Sequence, residues 1–221
     1  MQTSGLTKNA SAPQVSADII AALRDIPVAL LSDNMQRNRG AVGLQPYHKP
    51  APLAGTAVTV LTRGGDNLAI LRAFEFCRPG DVMVVDAGED TTNAVIGGIL
   101  SFYAATIGLA GMVIDGAIRD LAEIRERTFP IYARGVNHRG PYKDGPGAIN
   151  VPVTVGGMVV QPGDLIVGDQ DGLLAFAPDT VRSLIEKAET QRAREETTMQ
   201  AMRDGRWDRF FIDALEARCA N

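Results

Sequence analysis

The sequence predicts an α/β protein, a mixed β-sheet with helices on at least one face and a helical extension at the C-terminal end. Three observations predict it. Between two copies of a Pro-Gly-Asp turn, Pro79-Gly80-Asp81 and Pro162-Gly163-Asp164, apolar runs alternate with helical stretches in β-α-β-α-β order. Four short apolar runs, NVPVTV, MVV, LIVGD and LLAF, are closely spaced by turn residues. After Pro178-Asp179 the composition switches to a long polar stretch rich in good helix formers.

The elements follow in order. Residues 1–14 are small and polar and read as a flexible tail. Ser16 is placed to cap a helix, ADIIAALR, that must end before Pro27, because a residue preceding proline is pushed out of the α region. Ser32-Asp33-Asn34 could cap a second, short helix. The β-branched run TAVTVLT reads as a strand closed by Gly64-Gly65, and Asp66 or Asn67 can cap a helix running to about Phe76. A Pro-Gly-Asp turn then feeds a strand ending at Asp86.

Residues Thr91 to Ile114 carry no charge, a length that could span a bilayer. Gly97, Gly98, Gly108 and Gly111, together with Thr91, Thr92, Asn93, Ser101 and Thr106, argue instead for a buried helix over about 94–107 and a buried strand, GMVID. That strand delivers Asp115 through Asp120 into a turn. A helix starts near Asp120, a strand at Pro130, and the Gly/Pro-rich loop GVNHRGPYKDGPG leads to the four short strands.

The polar helix has one apolar stripe for docking, Val181, Leu184, Ile185, Ala188 and Ala193. A final segment sets Trp207, Phe210, Phe211, Ala214 and Leu215 on one side, which suits packing against a neighbouring subunit. The domain reading is a tail over 1–14, an α/β domain over 15–190 and a helical extension over 191–221.

Composition narrows the function classes. The 221 residues are 45% hydrophobic and 22% charged, the balance of a globular protein. With 22 Lys+Arg against 26 Asp+Glu and no basic run, neither nucleic acid nor a membrane is an expected partner. Cys77, Cys219, His48 and His138 match no zinc spacing. The first residues lack the apolar core of a secretory signal, so a cytoplasmic location is expected.

The chemistry points to one passage, AVIGGILSFYAATIGLAGMVIDGAIRD. Gly97-Gly98-Ile99-Leu100 would present unpaired backbone N–H groups at a helix start, where the missing Cβ atoms let an anion approach closely. Arg119 supplies a planar cationic fork for a carboxylate or enolate oxygen, and Asp120 a hard oxygen ligand suited to Mg²⁺. An N-cap with a surface ion pair would explain the Arg-Asp pair equally well.

Over residues from about Gly55 to Ala188, the segments AGTAVTV, GGDNLAI, RPGDVMVVD, GLAGMVIDGAIRD, FPIYARG and GPGAINVPVTVGGMVVQPGDLIVGDQDG resemble the RraA-like family. That family contains the class II 4-hydroxy-4-methyl-2-oxoglutarate / 4-carboxy-4-hydroxy-2-oxoadipate aldolases and the regulator of ribonuclease E activity. The resemblance implies a compact sandwich of mixed sheet and helices, of the swivelling β/β/α type, assembled as homotrimers or homohexamers with sites at subunit interfaces. It implies that Gly97, Gly98, Ile99 and Leu100 bind a small 2-oxo acid through backbone amides. It further implies that Arg119 holds the pyruvyl group, that Asp120 ligates Mg²⁺ or Mn²⁺, and that Glu195, or Glu196 beside it, reaches a neighbour's site. One position departs: the aldolase signature is Asp, twenty residues, then Arg-Asp, and counting back from Arg119 lands on Gly98.

The implied chemistry is metal-assisted retro-aldol cleavage of a 4-hydroxy-2-oxo acid to pyruvate, with oxaloacetate decarboxylation through the same enolate. The residues argue separately against a Schiff base, since Lys8, Lys49, Lys143 and Lys187 all fall in the tail, in loops or on the polar helix. No G-x-S-x-G or G-x-G-x-x-G segment is present. The rival expectations are a non-catalytic, regulator-like interaction protein and a metal-dependent lyase or decarboxylase for another 2-oxo acid.

Overall fold

The computed structural model describes residues 5–37 and 40–219. Its strands are β1 (Leu6–Lys8), β2 (Gln45–Pro46), β3 (Leu53–Thr62), β4 (Asp81–Asp86), β5 (Ala94–Ile96), β6 (Gly111–Ile118), β7 (Ile131–Val136), β8 (Gly147–Ile149), β9 (Val153–Val155), β10 (Met158–Val160), β11 (Leu165–Gly168) and β12 (Leu173–Phe176). The α-helices are α1 (Ala17–Arg24), α2 (Val28–Asn34), α3 (Leu68–Ala73), α4 (Gly98–Thr106), α5 (Leu121–Arg125), α6 (Val181–Arg203) and α7 (Phe210–Cys219).

The centre is the parallel run β3-β4-β6-β7, extended by antiparallel β8 and β2 and by parallel β1 at the far edge. Alternation sends the two sides of each central strand into different cores. Val60, Met83, Val85, Met112 and Ile114 pack with Ala69 and Ile70 of α3, Ala104 of α4 and Ile124 of α5. Their neighbours Val82, Val84 and Val113 pack with Val153, Val155, Met158 and Val160 of the β9-β10 hairpin. Both faces being covered, β4 and β6 read as nearly continuous apolar runs. A third core joins α1, α2 and the first half of α6 to β11 and β12 through Leu23, Leu31, Val167, Phe176, Leu184 and Ala188.

The two Pro-Gly-Asp turns share one geometry. Gly80 and Gly163 sit at φ +88° and +90°, where a side chain would be strained, and Asp81 and Asp164 each accept the N–H three residues back, from Arg78 and Gln161 at 2.8 Å. They start β4 and β11, which flank β3 at the level of Thr56.

Five expectations change, the smallest being that Ser32-Asp33-Asn34 are the last residues of α2 and not the cap of a helix that follows them. Residues 5–14 are not a loose tail but a strap: β1 pairs with β8, Asn9 and Asn150 exchange side-chain amide bonds to each other's carbonyls, and Arg78 donates to Ala12 O. Partners so far away in sequence leave no local pattern to read. Ala94–Ile96 is a strand, not the first turn of a helix, because its β-branched residues pair with β6 and the helix begins only at Gly98. β6 does not turn at Asp115 but runs on to Ile118. Helix α6 passes residue 190 without a break, so no boundary falls there.

The uncharged stretch therefore spans β5, α4 and the start of β6. No helix among the described residues is long and apolar enough to cross a membrane. Of the aromatic face expected near the C-terminus, the side chains of Phe210, Phe211 and Ala214 lie outside the described residues; Trp207 and Leu215 are exposed.

Candidate functional site

Strand pairing assembles the site. β5 and β6 run parallel with Ala94 opposite Ala117 and Ile96 opposite Ile118, and Arg119 N–H donates to Ile96 O at 3.0 Å. The two strands end level, so the dipeptides that follow them, Gly97-Gly98 and Arg119-Asp120, emerge side by side at the carboxyl end of a parallel sheet. That is where open α/β folds place ligands.

Close approach explains the glycines. A Cβ on Gly97 would collide with Asp120 Oδ2 and would stand 2.8 Å from Arg119 Cγ; a Cβ on Gly98 would collide with Glu123 Oε2. Gly97 caps α4, and Gly98 N–H donates to Asp120 Oδ2 at 2.8 Å. Ile99 and Leu100 follow within the first turn of α4, where N–H groups have no partner inside the helix. Asp120 itself sits at φ 60°, ψ 40°, a left-handed conformation that Asp tolerates better than most residues. Its side chain makes no capping bond to α5. The N-cap explanation weighed from sequence thus fails in its ordinary form, since the carboxylate turns away from its own helix toward α4.

All of these groups except Gly98 and Glu123 line a cleft of about 260 Å³ with Asn67, Leu71, Val95, Ile96, Pro141 and Lys143. The structure brings together Gly97, Ile99, Leu100, Arg119 and Asp120 on its walls, with Gly98 bonded to Asp120 beside them. Arg119 lies against Gly140, where a Cβ would stand 2.9 Å from Nη1. The loop bearing Gly140 and Lys143 is fixed by Asp66 Oδ2, which accepts Asp144 N–H at 2.7 Å and Gly145 N–H at 3.0 Å, and by Asn93 Nδ2, which donates to Gly140 O. A larger hollow of about 370 Å³ between α1 and β11 lacks such convergence; its Asp169 is taken up by the N–H groups of Val28 and Asp171.

Two residues were missed in the sequence. Lys143 is a loop residue, as expected, yet its loop lines the cleft and adds a second cation to it besides Arg119. Glu123 places its carboxylate over Gly98, in the space that a side chain at position 98 would fill. Spacing puts Glu123 one turn after Asp120, but no interval in the sequence relates it to Gly98. A carboxylate from α5 thus occupies the space beside position 98, although Glu123 is not among the residues lining the cleft.

Glu195 is not brought to the cleft within one chain. It lies exposed on α6, where Gln191 Nε2 donates to its Oε1 at 2.8 Å, and Glu196 is exposed beside it. Among the described residues no group of three or more His, Cys, Asp or Glu side chains converges into a metal cage. A cation here would be an open site on one or two carboxylates completed by water, which is how Mg²⁺ is commonly held. The glycine cradle beneath Asp120 and Glu123 fits that requirement, because it clears space around two hard oxygen donors.

A protein-family model described as Aldolase/RraA matches residues 28–175. A Halalkalibacterium halodurans protein provisionally named a 4-hydroxy-4-methyl-2-oxoglutarate aldolase is 38% identical over 192 residues, covering 86% of this chain and 91% of its own. A Thermus thermophilus protein named 4-hydroxy-4-methyl-2-oxoglutarate aldolase is 37% identical over 120 residues, 53% of this chain and 73% of its own. Among solved structures, Streptomyces coelicolor RraAS2, described as an unusual member of the RNase ES inhibitor RraA protein family, superposes with a TM-score of 0.78 at 26% identity, covering 85% of this chain and 98% of its own.

Proposed function

Because the chain belongs to the RraA-like family, we propose that it is a divalent-metal-dependent pyruvate aldolase, a carbon-carbon lyase acting on a 4-hydroxy-2-oxo di- or tricarboxylic acid, with oxaloacetate decarboxylation as a side activity. The observation that carries this reading is the pair of carboxylates, Asp120 and Glu123, standing over the adjacent glycines 97 and 98 beside Arg119.

Each residue has a task. The amides of Ile99 and Leu100 receive a substrate carboxylate at the start of α4. Arg119 faces the 2-oxo end and takes the negative charge that develops on the pyruvyl oxygen as the C–C bond breaks. Lys143, on the loop that lines the cleft, pairs with the second carboxylate. Asp120 is the residue that would hold Mg²⁺ or Mn²⁺, which supplies Lewis acidity when bound. Glu123 Oε2, through an intervening water, would take the C4 hydroxyl proton as the C–C bond breaks and return a proton by the same route to the methylene carbon of the pyruvate enolate.

The assembly belongs to the same proposal. Ile99, Phe102 and Tyr103 form an exposed apolar face on α4 directly beside the cleft. A homotrimer or homohexamer covering that face would let Glu195 of one copy reach the cleft of the next.

Coupled detection of pyruvate from 4-hydroxy-4-methyl-2-oxoglutarate and from oxaloacetate, with and without chelator, tests the reading. Release from both that is lost on chelation and restored by Mg²⁺ or Mn²⁺ is expected. No release at millimolar metal would leave the regulator-like reading, which likeness to RraAS2 favours.

A further inference from the structure

Resting on the reading that Glu123 works beside Asp120, we propose that Arg127 is a positioning residue that clamps the Glu123 carboxylate over Gly98. The two oxygens of Glu123 are divided between two tasks. Oε1 accepts a hydrogen bond from Arg127 Nη2, and Oε2 is the atom in the space of the missing side chain at position 98. A carboxylate held at one oxygen presents the other in a fixed direction, which a long, half-exposed glutamate would not do alone.

Arg127 is itself held on three sides. Its Cζ lies 5.2 Å from the centre of the Phe102 ring, so the guanidinium stacks on α4, the helix that begins at Gly98. Its backbone is fixed by Lys49 N–H donating to Arg127 O at 2.8 Å and by Arg127 N–H donating to Ile124 O at 3.1 Å. The residue therefore ties α5 to α4 across the place where the glycine pair and the carboxylates meet.

Stability does not account for this arrangement. Arg127 Nη1 is buried with no acceptor among the described residues, a cost rather than a gain. An ion pair to a glutamate as exposed as Glu123 returns little in folding free energy. A buried donor left unused and a weak ion pair make sense together if the guanidinium is there to aim the carboxylate.

The test is a double-mutant cycle on the full-length protein, with Arg127→Met and Glu123→Gln alone and combined, and Arg127→Lys as a conservative control. Mn²⁺ affinity is read by electron paramagnetic resonance and pyruvate release as separate kcat and KM. Arg127→Met is expected to weaken Mn²⁺ binding and lower kcat by about tenfold with KM nearly unchanged. It should add nothing in the Glu123→Gln background, because Arg127 acts only through that carboxylate. Arg127→Lys should recover part of the loss. Wild-type affinity and kcat in Arg127→Met, or losses that multiply with those of Glu123→Gln, would overturn the inference while leaving the aldolase reading standing. A wild-type protein that neither binds Mn²⁺ nor releases pyruvate overturns both. If Arg127→Met does not fold, the same cycle with Arg127→Lys decides: a loss that vanishes in the Glu123→Gln background supports the clamp, and no loss, or one that persists there, refutes it.

Discussion

Two pairs of carboxylates in this molecule do opposite things. Asp66 and Asp115 are buried, their side chains 0% and 2% exposed, and their oxygens are engaged. Asp66 accepts from the N–H groups of Leu68, Asp144 and Gly145 and from Arg63 Nη2. Asp115 accepts from Arg134 Nε at 2.5 Å and from Gly156 N–H at 2.6 Å, tying β6 to β7 and to the turn of the β9-β10 hairpin. Asp120 and Glu123 have side chains 46% and 52% exposed, and each has one oxygen engaged, Asp120 Oδ2 by Gly98 N–H and Glu123 Oε1 by Arg127, with the other oxygen accepting no hydrogen bond from the described residues. A carboxylate whose lone pairs are filled by the chain fixes a loop; one that keeps a free oxygen at an open cleft can bind and react.

Four substitutions sharpen that contrast, ordered by expected effect. Asp66→Ala should be the most damaging, costing about 3–5 kcal/mol of stability because backbone N–H groups and an arginine lose a buried acceptor; urea unfolding measures it, and a loss below about 1 kcal/mol would count against a structural role. Asp120→Ala should lower metal-dependent pyruvate release on the order of a hundredfold or more while the protein still folds, seen by circular dichroism; unchanged turnover would reduce Asp120 to a cap on Gly98.

Next comes an exchange. Glu123→Ala should reduce activity by about tenfold, and Gly98→Asp added to it should recover most of the loss, since the new side chain would enter the space vacated by Glu123. Gly98→Asp in an otherwise unaltered chain should not help, because it must first displace the Glu123 carboxylate. Kinetics of the three variants separate these outcomes.

The smallest effect concerns His48. Ile131 N–H donates to its Nδ1 at 3.1 Å, its Nε2 faces Ala51 O at 3.3 Å, and its ring meets Tyr132 edge-on at 5.2 Å. Burial holds its pKa below the ordinary histidine value, outweighing the backbone contacts at Ile131 and Ala51. The unfolded chain therefore binds a proton that the folded one resists, so stability falls as pH drops below about 6.5, by at most about 1.4 kcal/mol per pH unit. Melting temperatures between pH 7.5 and 5 should show that slope in the wild type and a shallower one in His48→Phe.

Much of the site was legible because its determinants are local. The glycine pair before an apolar helix and the Arg-Asp after an apolar strand are short-range patterns; what brings them together is the pairing of β5 with β6, which the sequence did not predict. Ser16 does precede α1, though its side chain makes no capping bond, and at the start of α3 it is Asp66 Oδ1 that accepts Leu68 N–H at 2.9 Å. Glu123 was overlooked because its relation to Gly98 crosses from α5 to α4, a packing fact with no fixed sequence interval. Lys143 was overlooked because loop composition does not say where a loop folds; Asp66, 77 residues earlier, decides that.

By itself the sequence determined the layer class, the positions of most helices and strands, and the residue types that could bind an anion and a hard cation. Hydrophobic period, capping and turn chemistry act over a few residues and are written into the chain locally. Only the tertiary structure decided that the N-terminal segment is a strap on β8, that Ala94–Ile96 is a strand, and that the Glu123 carboxylate lies over Gly98. Those outcomes depend on which edges and surfaces lie within a few ångströms once the sheet has formed.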